Sequence, residues 1–167
     1  VKSEEGVGST FVITLPFRLA TEQSQEQQQQ ESEEIVESAS IAGCRLLLVE
    51  DNELNVEIAE MLLEDHGAQI MVVADGQQAV DRFVSEPPGT FDVILMDVMM
   101  PVMDGLTATR RIRELDREDA KTMPIIAMTA NAYDEDVKQC LDAGMNAHLA
   151  KPLQMDLVVA VIGKYCN

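Results

Sequence analysis

Residues 43–167 predict an α/β fold, a doubly wound parallel sheet with helices on both faces that makes a three-layer sandwich. Two observations support this prediction. Five short apolar runs occur along this part of the chain, and they alternate with five segments that have the periodicity of helices. Strands that alternate with helical segments are typical of parallel sheets.

The predicted strands are the short apolar runs. In chain order they cover residues 45–49, 69–73, 93–96, 125–128 and 147–150. Right-handed connections between successive parallel strands place helices on both faces of the sheet.

The predicted helices begin and end at residues that commonly terminate helices. The first opens with the N-cap Asn52 and stops at Gly67, the second ends before Pro87, and the fourth stops at Gly144. The helices cover residues 52–66, 76–84, 105–115, 131–143 and 154–165. In the last helix, one side carries Leu157, Val158, Val161 and Ile162.

The first 42 residues differ from the rest in composition. Residues 1–19 contain a glycine-rich piece and an alternating run in which Phe11, Ile13 and Leu15 share one strand face. Residues 20–42 are rich in Gln, Glu and Ser. So little apolar surface cannot offset the entropy of ordering, and we expect a flexible linker there.

The formal net charge of −18 disfavours nucleic acid and anionic membranes as partners, and it suits divalent cations or basic protein surfaces. The longest apolar run is far shorter than the ~20 residues that span a bilayer. We therefore expect a cytoplasmic fragment without membrane contact, from a parent protein that could itself be anchored in the inner membrane. The scattered Cys44, Cys140 and Cys166 are predicted to be free thiols.

Polar residues follow four of the five predicted strands. Glu50 and Asp51 come after the first, Asp97 ends the third, Thr129 ends the fourth, and Lys151 follows the fifth. In an open parallel sheet, ligands bind beyond the carboxyl ends of the strands. Each residue alone could be a helix cap or a solvent-exposed side chain, but their joint position predicts a functional site.

Carboxylates gathered at one edge of a sheet repel each other unless a cation joins them. Mg²⁺ suits such a site because it takes oxygen ligands and pairs with phosphate. An ionised Asp97 can then attack phosphorus and form an aspartyl phosphate. Lys151 would neutralise charge on the transferred group, so the residues predict a phosphoacceptor that depends on Mg²⁺.

Four motifs in this order resemble the response-regulator receiver family. They are LLLVEDN at residues 46–52, DVMMPVMDG at residues 97–105, MTA at residues 128–130 and KPL at residues 151–153. The resemblance covers about residues 43–167. It implies a flavodoxin-like (βα)5 fold with strand order 2-1-3-4-5 and a function in a two-component phosphorelay.

The resemblance implies a role for each matched acidic residue. Asp97 aligns with the phosphoacceptor and is also a ligand of Mg²⁺. Asp51 aligns with a direct Mg²⁺ ligand, and Glu50 aligns with its acidic neighbour, which often acts through water. The backbone carbonyl of Met99 is implied to complete the ligands that the protein supplies.

The remaining motifs imply a switch. Lys151 should pair with Asp97 and later with the phosphoryl oxygens, and its bond to Pro152 is expected to be cis. Thr129 should reach the phosphoryl group and couple it to a conformational change. The second switch position falls on His148, where the family usually has Tyr or Phe; the alternative is a partly exposed histidine without a switch role.

Residues 5–11, followed by Leu15-Pro16-Phe17, resemble the end of a histidine-kinase ATP-binding domain. This implies a hybrid histidine kinase, with residues 1–19 as the remnant of that domain, 20–42 as linker and 43–167 as receiver. The implied partners are a sensor histidine kinase domain, a histidine phosphotransfer protein, or both. The expected readout surface is formed by the fourth helix, fifth strand and fifth helix. The receiver would catalyse its own phosphorylation and dephosphorylation rather than act as a conventional enzyme.

Two other functions fit parts of the pattern. Phosphohydrolases of the haloacid-dehalogenase type also use an aspartyl nucleophile, but they carry a second acid two residues later, where Met99 stands here. A pseudo-receiver that acts only as a scaffold would not need the intact set Asp51, Asp97, Thr129 and Lys151. The sequence therefore favours the phosphoacceptor.

Overall fold

The computed structural model describes residues 2–4, 8–10, 40–130 and 134–166. The chain divides into two units, Val1–Glu34 and Ile35–Asn167. In the first unit, strands β1 (Lys2–Glu4) and β2 (Gly8–Thr10) form an antiparallel pair. The predicted strand face of Phe11, Ile13 and Leu15 lies outside the described residues, as does residue range 20–39 of the predicted linker.

The second unit is a parallel sheet of five strands with helices on both faces. The strands are β3 (Arg45–Val49), β4 (Gln69–Val73), β5 (Val93–Asp97), β6 (Ile125–Thr129) and β7 (Ala147–Ala150). The helices are α1 (Glu53–Asp65), α2 (Gly76–Ser85), α3 (Gly105–Glu114), α4 (Asp134–Asp142) and α5 (Met155–Ile162). The spatial order is β4-β3-β5-β6-β7 with all neighbours parallel. The predicted fold class and the order 2-1-3-4-5 are confirmed.

Two strands continue one residue past their predicted apolar runs and end at the polar residues that the sequence placed at their ends. β5 continues to Asp97 and β6 continues to Thr129. Asp97 is paired with Met128 in the ladder between these strands. The backbones of both polar residues are therefore fixed by the sheet, and both residues are buried.

Alternate residues of the central strands point to opposite faces of the sheet and form two separate cores. On one face, Leu47 and Ile94 belong to a cluster with side chains of α2 and α3, to which α4 contributes Cys140. On the other face, Leu48 and Leu95 belong to a cluster with side chains of α1 and α5. Both faces are thus covered, as the doubly wound fold requires. No helix among the described residues is long and apolar enough to cross a membrane.

The side of the last helix that the sequence identified differs from its buried side at Leu157 and Val159. Val158, Val159 and Ile162 are buried, whereas Leu157 is exposed. α5 meets the sheet along a stripe through Val158 and Ile162, and one residue turns a helix by about 100°, so Leu157 lies beside that stripe. At the other end of the unit, Ile41 is buried two residues before the predicted domain start.

The prediction of three free cysteines was wrong for two of them. Cys44 and Cys166 form a disulfide, with their Cα atoms 5.4 Å apart, while Cys140 is a buried free thiol. Cys44 immediately precedes β3, and Cys166 follows α5, which packs on the same face of the sheet. The pair is separated by 122 residues in sequence, so spacing gave no sign of it.

The loop after β5 contains a strained backbone position. The N–H of Met103 donates to the carbonyl oxygen of Pro101 at 2.7 Å, and Val102 between them has φ 65°. A β-branched residue is rarely found at positive φ, where an L-residue is destabilised by roughly 1–2 kcal/mol. The side chain of Val102 is 86% exposed and gains little from packing.

We expect Val102→Asn to raise the free energy of unfolding by about 1 kcal/mol, because Asn adopts positive φ more readily than a β-branched residue. Urea unfolding of the wild-type and variant chains measures the difference. Val84→Asn is the matched control, since Val84 is an exposed valine within a helix. Equal changes at positions 84 and 102 would show that backbone strain at Val102 is absent.

Candidate functional site

The predicted site residues stand at one edge of the sheet, where the parallel strands end. Glu50 and Asp51 follow β3, Asp97 and Thr129 are the last residues of β5 and β6, and Lys151 follows β7. β5 lies between β3 and β6 in the sheet. Asp97 is therefore at the centre of the group.

The three acidic side chains form one cluster. Glu50, Asp51 and Asp97 each offer a carboxylate oxygen, and these oxygens lie within 4.8 Å of one another. Glu50 and Asp97 are buried, whereas Asp51 is exposed. The cluster is thus accessible from the side of Asp51, and its carboxylates repel one another when ionised.

Lys151 joins two of these carboxylates. Its Nζ donates to Asp97 Oδ2 at 2.7 Å and to Glu50 Oε2 at 2.5 Å. Hydrogen bonds between charged groups are stronger than neutral ones, especially where water is partly excluded. The backbone N–H of Lys151 donates to the carbonyl oxygen of Thr129 at 2.8 Å, and the bond from Lys151 to Pro152 is cis. Lys151 therefore connects the ends of β3, β5 and β6.

Asn55 belongs to the site although the sequence did not point to it. Its side-chain amide donates to Glu50 Oε1 at 2.8 Å. Asn55 lies in the first turn of α1, where Asn52 caps the helix by accepting from the backbone N–H groups of Leu54 and Asn55. With Lys151 on the second oxygen, both carboxylate oxygens of Glu50 are engaged. The available signal was a polar residue in the helix turn that follows the acidic pair.

The local environment changes the pKa values of the central pair. Burial raises the pKa of Asp97, and the charge of Glu50 acts in the same direction, while Lys151 and the N–H of Met99 oppose the rise. Burial by itself lowers the pKa of Lys151, but the hydrogen bonds to Asp97 and Glu50 outweigh it and raise that pKa above its usual value. Lys151 is therefore a cation, and it compensates only part of the cost of holding Asp97 ionised.

The backbone around Asp97 is tightly folded. The N–H of Met99 donates to Asp97 Oδ1 at 3.2 Å, and the N–H of Gly105 donates to the carbonyl oxygen of Val98 at 3.1 Å. A Cβ atom added at Gly105 would overlap the carbonyl oxygen of Asp97. Only glycine lets α3 begin so close to the end of β5. This close approach holds the loop between β5 and α3 beside the carboxylate of Asp97.

The two predicted switch residues lie on neighbouring strands. Thr129 is buried at the end of β6 and is paired with Ala150, whereas His148 is paired with Ala127. His148 is half-buried and lies two residues farther from the edge of the sheet, or roughly 7 Å along the strand. The structure thus brings Thr129 to the edge with Asp97 and leaves His148 one repeat of the strand away.

Comparison with known proteins identifies the domain. Residues 46–163 match the response regulator receiver domain family. The chain belongs to this family. The match extends from β3 to the end of α5, so it covers the sheet, its helices and every residue of the acidic cluster.

A curated relative of the receiver domain matches almost the whole chain. The aerobic respiration control sensor protein ArcB of Escherichia coli is 34% identical over 166 residues, which cover 99% of this chain and 20% of that protein. The curated relatives are much longer than this chain. The matched part of the chain spans 5% to 20% of their length.

Two solved structures resemble the receiver domain closely. The first is the receiver domain of a sensor histidine kinase from Pseudomonas aeruginosa, whose active-site cleft coordinates a magnesium ion. It has a TM-score of 0.66 and 43% identity, and the match covers 75% of this chain and 98% of that one. The second is a chain from the co-crystal of the Saccharomyces cerevisiae histidine phosphotransfer protein Ypd1 with the receiver domain of its downstream response regulator Ssk1. It has a TM-score of 0.68 and 27% identity, and the match covers 75% and 90% of the two chains.

The donor set of the receiver domain fits a hard divalent cation. All side-chain donors in the cluster are carboxylate oxygens, which Mg²⁺ and Ca²⁺ prefer. Three carboxylates and the ammonium of Lys151 leave a formal excess of two negative charges when all are ionised. A divalent ion next to the exposed Asp51 would balance this excess.

Proposed function

We propose that Asp97 accepts a phosphoryl group from a phosphorylated histidine of a partner protein, as one step of a phosphorelay. The observation that carries this proposal is the environment of Asp97, a buried carboxylate that contacts Lys151 and lies within 4.8 Å of two other carboxylates. Such a site combines a nucleophile with a cation and a place for a metal. Membership of the receiver family supports the same function.

The transfer requires little beyond positioning and electrostatic stabilisation. A carboxylate oxygen of Asp97 attacks the phosphorus atom, the bond from phosphorus to the histidine nitrogen breaks, and its electron pair returns to the imidazole ring. Lys151 already lies 2.7 Å from Asp97 Oδ2 and is placed to neutralise the phosphoryl oxygens. The pairing of Asp97 with Met128 at the end of β5 fixes the backbone that carries the nucleophile.

We assign the cation to Mg²⁺, held by Asp51, Asp97 and the backbone carbonyl of Met99. When bound, Mg²⁺ supplies positive charge that offsets the carboxylates and orients the phosphoryl oxygens. The role through water that we propose for Glu50 rests on its position as the acidic neighbour of Asp51 in the receiver motif, and Asn55 and Lys151 hold its two oxygens. The magnesium ion in the receiver from Pseudomonas aeruginosa supports this assignment.

Thr129 is the residue that we propose to sense the phosphoryl group. It is buried at the end of β6, and its carbonyl oxygen holds the backbone of Lys151. A change in the position of Thr129 would therefore act on the loop that carries the lysine. His148, half-buried on β7, stays a proposal as the second switch residue. The readout surface expected at α4, β7 and α5 stays a prediction.

We propose that the phosphodonor docks on α1. Leu54, Ile58 and Met61 are spaced as i, i+4 and i+7 along this helix, and all three are exposed. Ile58 and Leu153 line an apolar pocket that also borders Glu50 and Lys151 of the site. A partner that brings a phosphohistidine to Asp97 must come close to this apolar surface.

The charge of α1 defines the kind of partner that fits. Glu53, Glu57 and Glu64 are exposed along the same helix as the apolar side chains, and Glu60 is half-buried there. The complementary surface is apolar at its centre and carries Lys or Arg at its rim. We assign this role to a histidine phosphotransfer protein. The co-crystal of Ypd1 with a receiver domain shows that such a protein binds a related fold.

We also propose that the chain is part of a hybrid histidine kinase located in the cytoplasm or facing it. The match with ArcB extends across residues before the receiver domain, over 99% of this chain. The antiparallel pair of β1 and β2 is compatible with the end of an ATP-binding domain. Residues 1–19 would then be the remnant of that domain, and residues 20–42 would be the linker to the receiver.

We expect Asp97→Asn to abolish phosphorylation, because an amide is not a nucleophile for phosphorus at neutral pH. Mass spectrometry after incubation with acetyl phosphate and Mg²⁺ should detect a phosphoryl adduct on the wild-type chain only. Asp75→Asn is a matched control, since Asp75 is a buried N-cap residue and Asn also caps helices. A phosphoryl adduct on the Asp97→Asn chain would refute the assignment.

We expect Asp51→Asn to weaken the affinity for Mg²⁺ by about tenfold or more, because it removes a charged oxygen ligand. Isothermal titration of the metal-free chain with Mg²⁺ measures this affinity. Glu53→Gln removes an exposed carboxylate two residues away and should change the affinity much less. Equal effects of the two substitutions would mean that general charge, not ligation by Asp51, attracts the ion.

We expect Ile58→Asp to slow phosphotransfer from a histidine phosphotransfer protein by about tenfold or more, because it places a charge in the apolar contact. Ile58 is 44% exposed, and Val84→Asp is the matched control at an exposed valine of α2. Transfer from purified phosphorylated proteins is followed alongside phosphorylation by acetyl phosphate. Slower reaction with both donors would indicate damage to the site, and an unchanged rate with the protein donor would place docking elsewhere.

A further inference from the structure

The disulfide between Cys44 and Cys166 connects two distant parts of the receiver domain. Its Cα atoms are 5.4 Å apart, within the usual range for a disulfide, although 122 residues separate the two cysteines. Cys44 immediately precedes β3, and Cys166 lies four residues beyond the last residue of α5. The bond thus joins the turn that leads into the sheet to the segment that leaves α5.

We propose that Cys44 and Cys166 form a reversible redox site that controls how firmly these two segments are held. The reaction partners are low-molecular-weight thiols and disulfides of the glutathione class. In a reducing compartment a disulfide is usually transient or redox-sensing rather than a permanent support. The cytoplasmic location proposed above would place the pair in such a compartment.

The exposure of the two cysteine residues indicates which of them an external thiolate attacks. Cys44 is only 3% exposed, whereas Cys166 is half-buried. Attack by an external thiolate depends on access to the sulfur. The external thiolate therefore reaches the sulfur of Cys166, and Cys44 is the leaving group inside the core.

The exchange balances with two external thiols. The first attacks Cys166 as a thiolate, forms a mixed disulfide and breaks the bond to Cys44, which leaves with the electron pair and takes up a proton. The second thiol attacks the mixed disulfide and releases Cys166, which is also protonated. The protein gains two thiols, and the two external thiols are oxidised to one disulfide; the reverse reaction restores the bond.

The two segments that the bond joins are also held by backbone hydrogen bonds: Gly43 donates to Gly67, Gln69 to Cys44 and Tyr165 to Ile162. The N–H of Cys44 donates to the carbonyl oxygen of Ile41, which is almost fully buried in the core below α5. Tyr165 and Cys166 are only partly buried against the same cluster. When the bond is reduced, the turn at Ile41 and the end of α5 lose their covalent link and depend on these hydrogen bonds and on local packing.

The phosphoacceptor site lies at the opposite end of β3. Glu50 follows the last residue of the strand and Cys44 precedes the first, which corresponds to roughly 20 Å for six extended residue steps. In the chain, α5 lies between Lys151, four residues before its start, and Cys166, four residues beyond its end. The redox site therefore acts on the end of α5 without taking part in phosphoryl transfer.

The first experiment counts thiols. The 167-residue chain is equilibrated in buffers that range from reduced to oxidised glutathione, unfolded in the presence of an alkylating reagent and analysed by mass spectrometry. We expect one alkylated cysteine, Cys140, in oxidised buffer and three in reduced buffer. Three alkylated cysteines in every buffer, or one in every buffer, would overturn the proposal.

The second experiment measures hydrogen exchange in the oxidised and reduced chains. We expect the amides of Cys44, Gly163 and Tyr165 to exchange at least about tenfold faster after reduction, because each donates to a carbonyl in a segment that the bond holds. The amide of Ile94, in the centre of the sheet, should be unchanged. Equal rates in the two chains at all four positions would also overturn the proposal.

Two variants separate loss of the bond from other effects of a reducing agent. Cys166→Ser cannot form the bond and should show the fast exchange of the reduced chain in every buffer. Cys140→Ser keeps the bond and should respond to glutathione like the wild-type chain. A Cys166→Ser chain that still slows its exchange in oxidised glutathione would show that another group is responsible.

Discussion

The receiver site depends on the contact of Lys151 with Asp97 and Glu50. Burial and the charge of Glu50 raise the pKa of Asp97, so a nearby cation is needed to favour its ionised form. Lys151 supplies one positive charge at 2.7 Å and 2.5 Å from the two acids. Its raised pKa shows that the carboxylates stabilise the ammonium in return. The remaining negative charge is what makes a divalent cation a suitable partner for the site.

The fold makes this contact possible through the order of its strands. β3 and β5 are neighbours, and β6 and β7 follow on one side, so side chains up to 101 positions apart in sequence meet at one edge. The two cores on opposite faces hold the strands from above and below. The sheet fixes the position of Asp97. Gly105 has no Cβ atom, and α3 can therefore begin next to the carbonyl oxygen of Asp97. The residues at the edge are thus held by the buried central strands of the sheet.

The sequence was sufficient for the fold and for most of the site, because both depend on local patterns. Apolar runs predicted the strands, and polar residues at the carboxyl ends of Arg45–Val49 and Ile125–Thr129 marked the edge. Asn55 was missed because its role depends on the direction in which α1 places its side chain. No sequence motif specifies that direction. The bond between Cys44 and Cys166 was missed because only the folded chain brings their neighbourhoods together. Leu157 was misplaced because periodicity defines a helix side to within about one residue.

One helix connects recognition of a partner with the charge balance of the site. In the first turn of α1, the side-chain amide of Asn55 contacts Glu50, and Leu54 beside it is exposed to solvent. Neither residue can move far without the other, since Asn52 caps the turn through the backbone N–H groups of both. A protein that binds Leu54 and Ile58 would therefore contact the element that orients Glu50 and, through Glu50, Lys151. The sheet holds the acidic cluster, and the helix on which we propose that the donor docks contacts that cluster through Asn55 and Glu50.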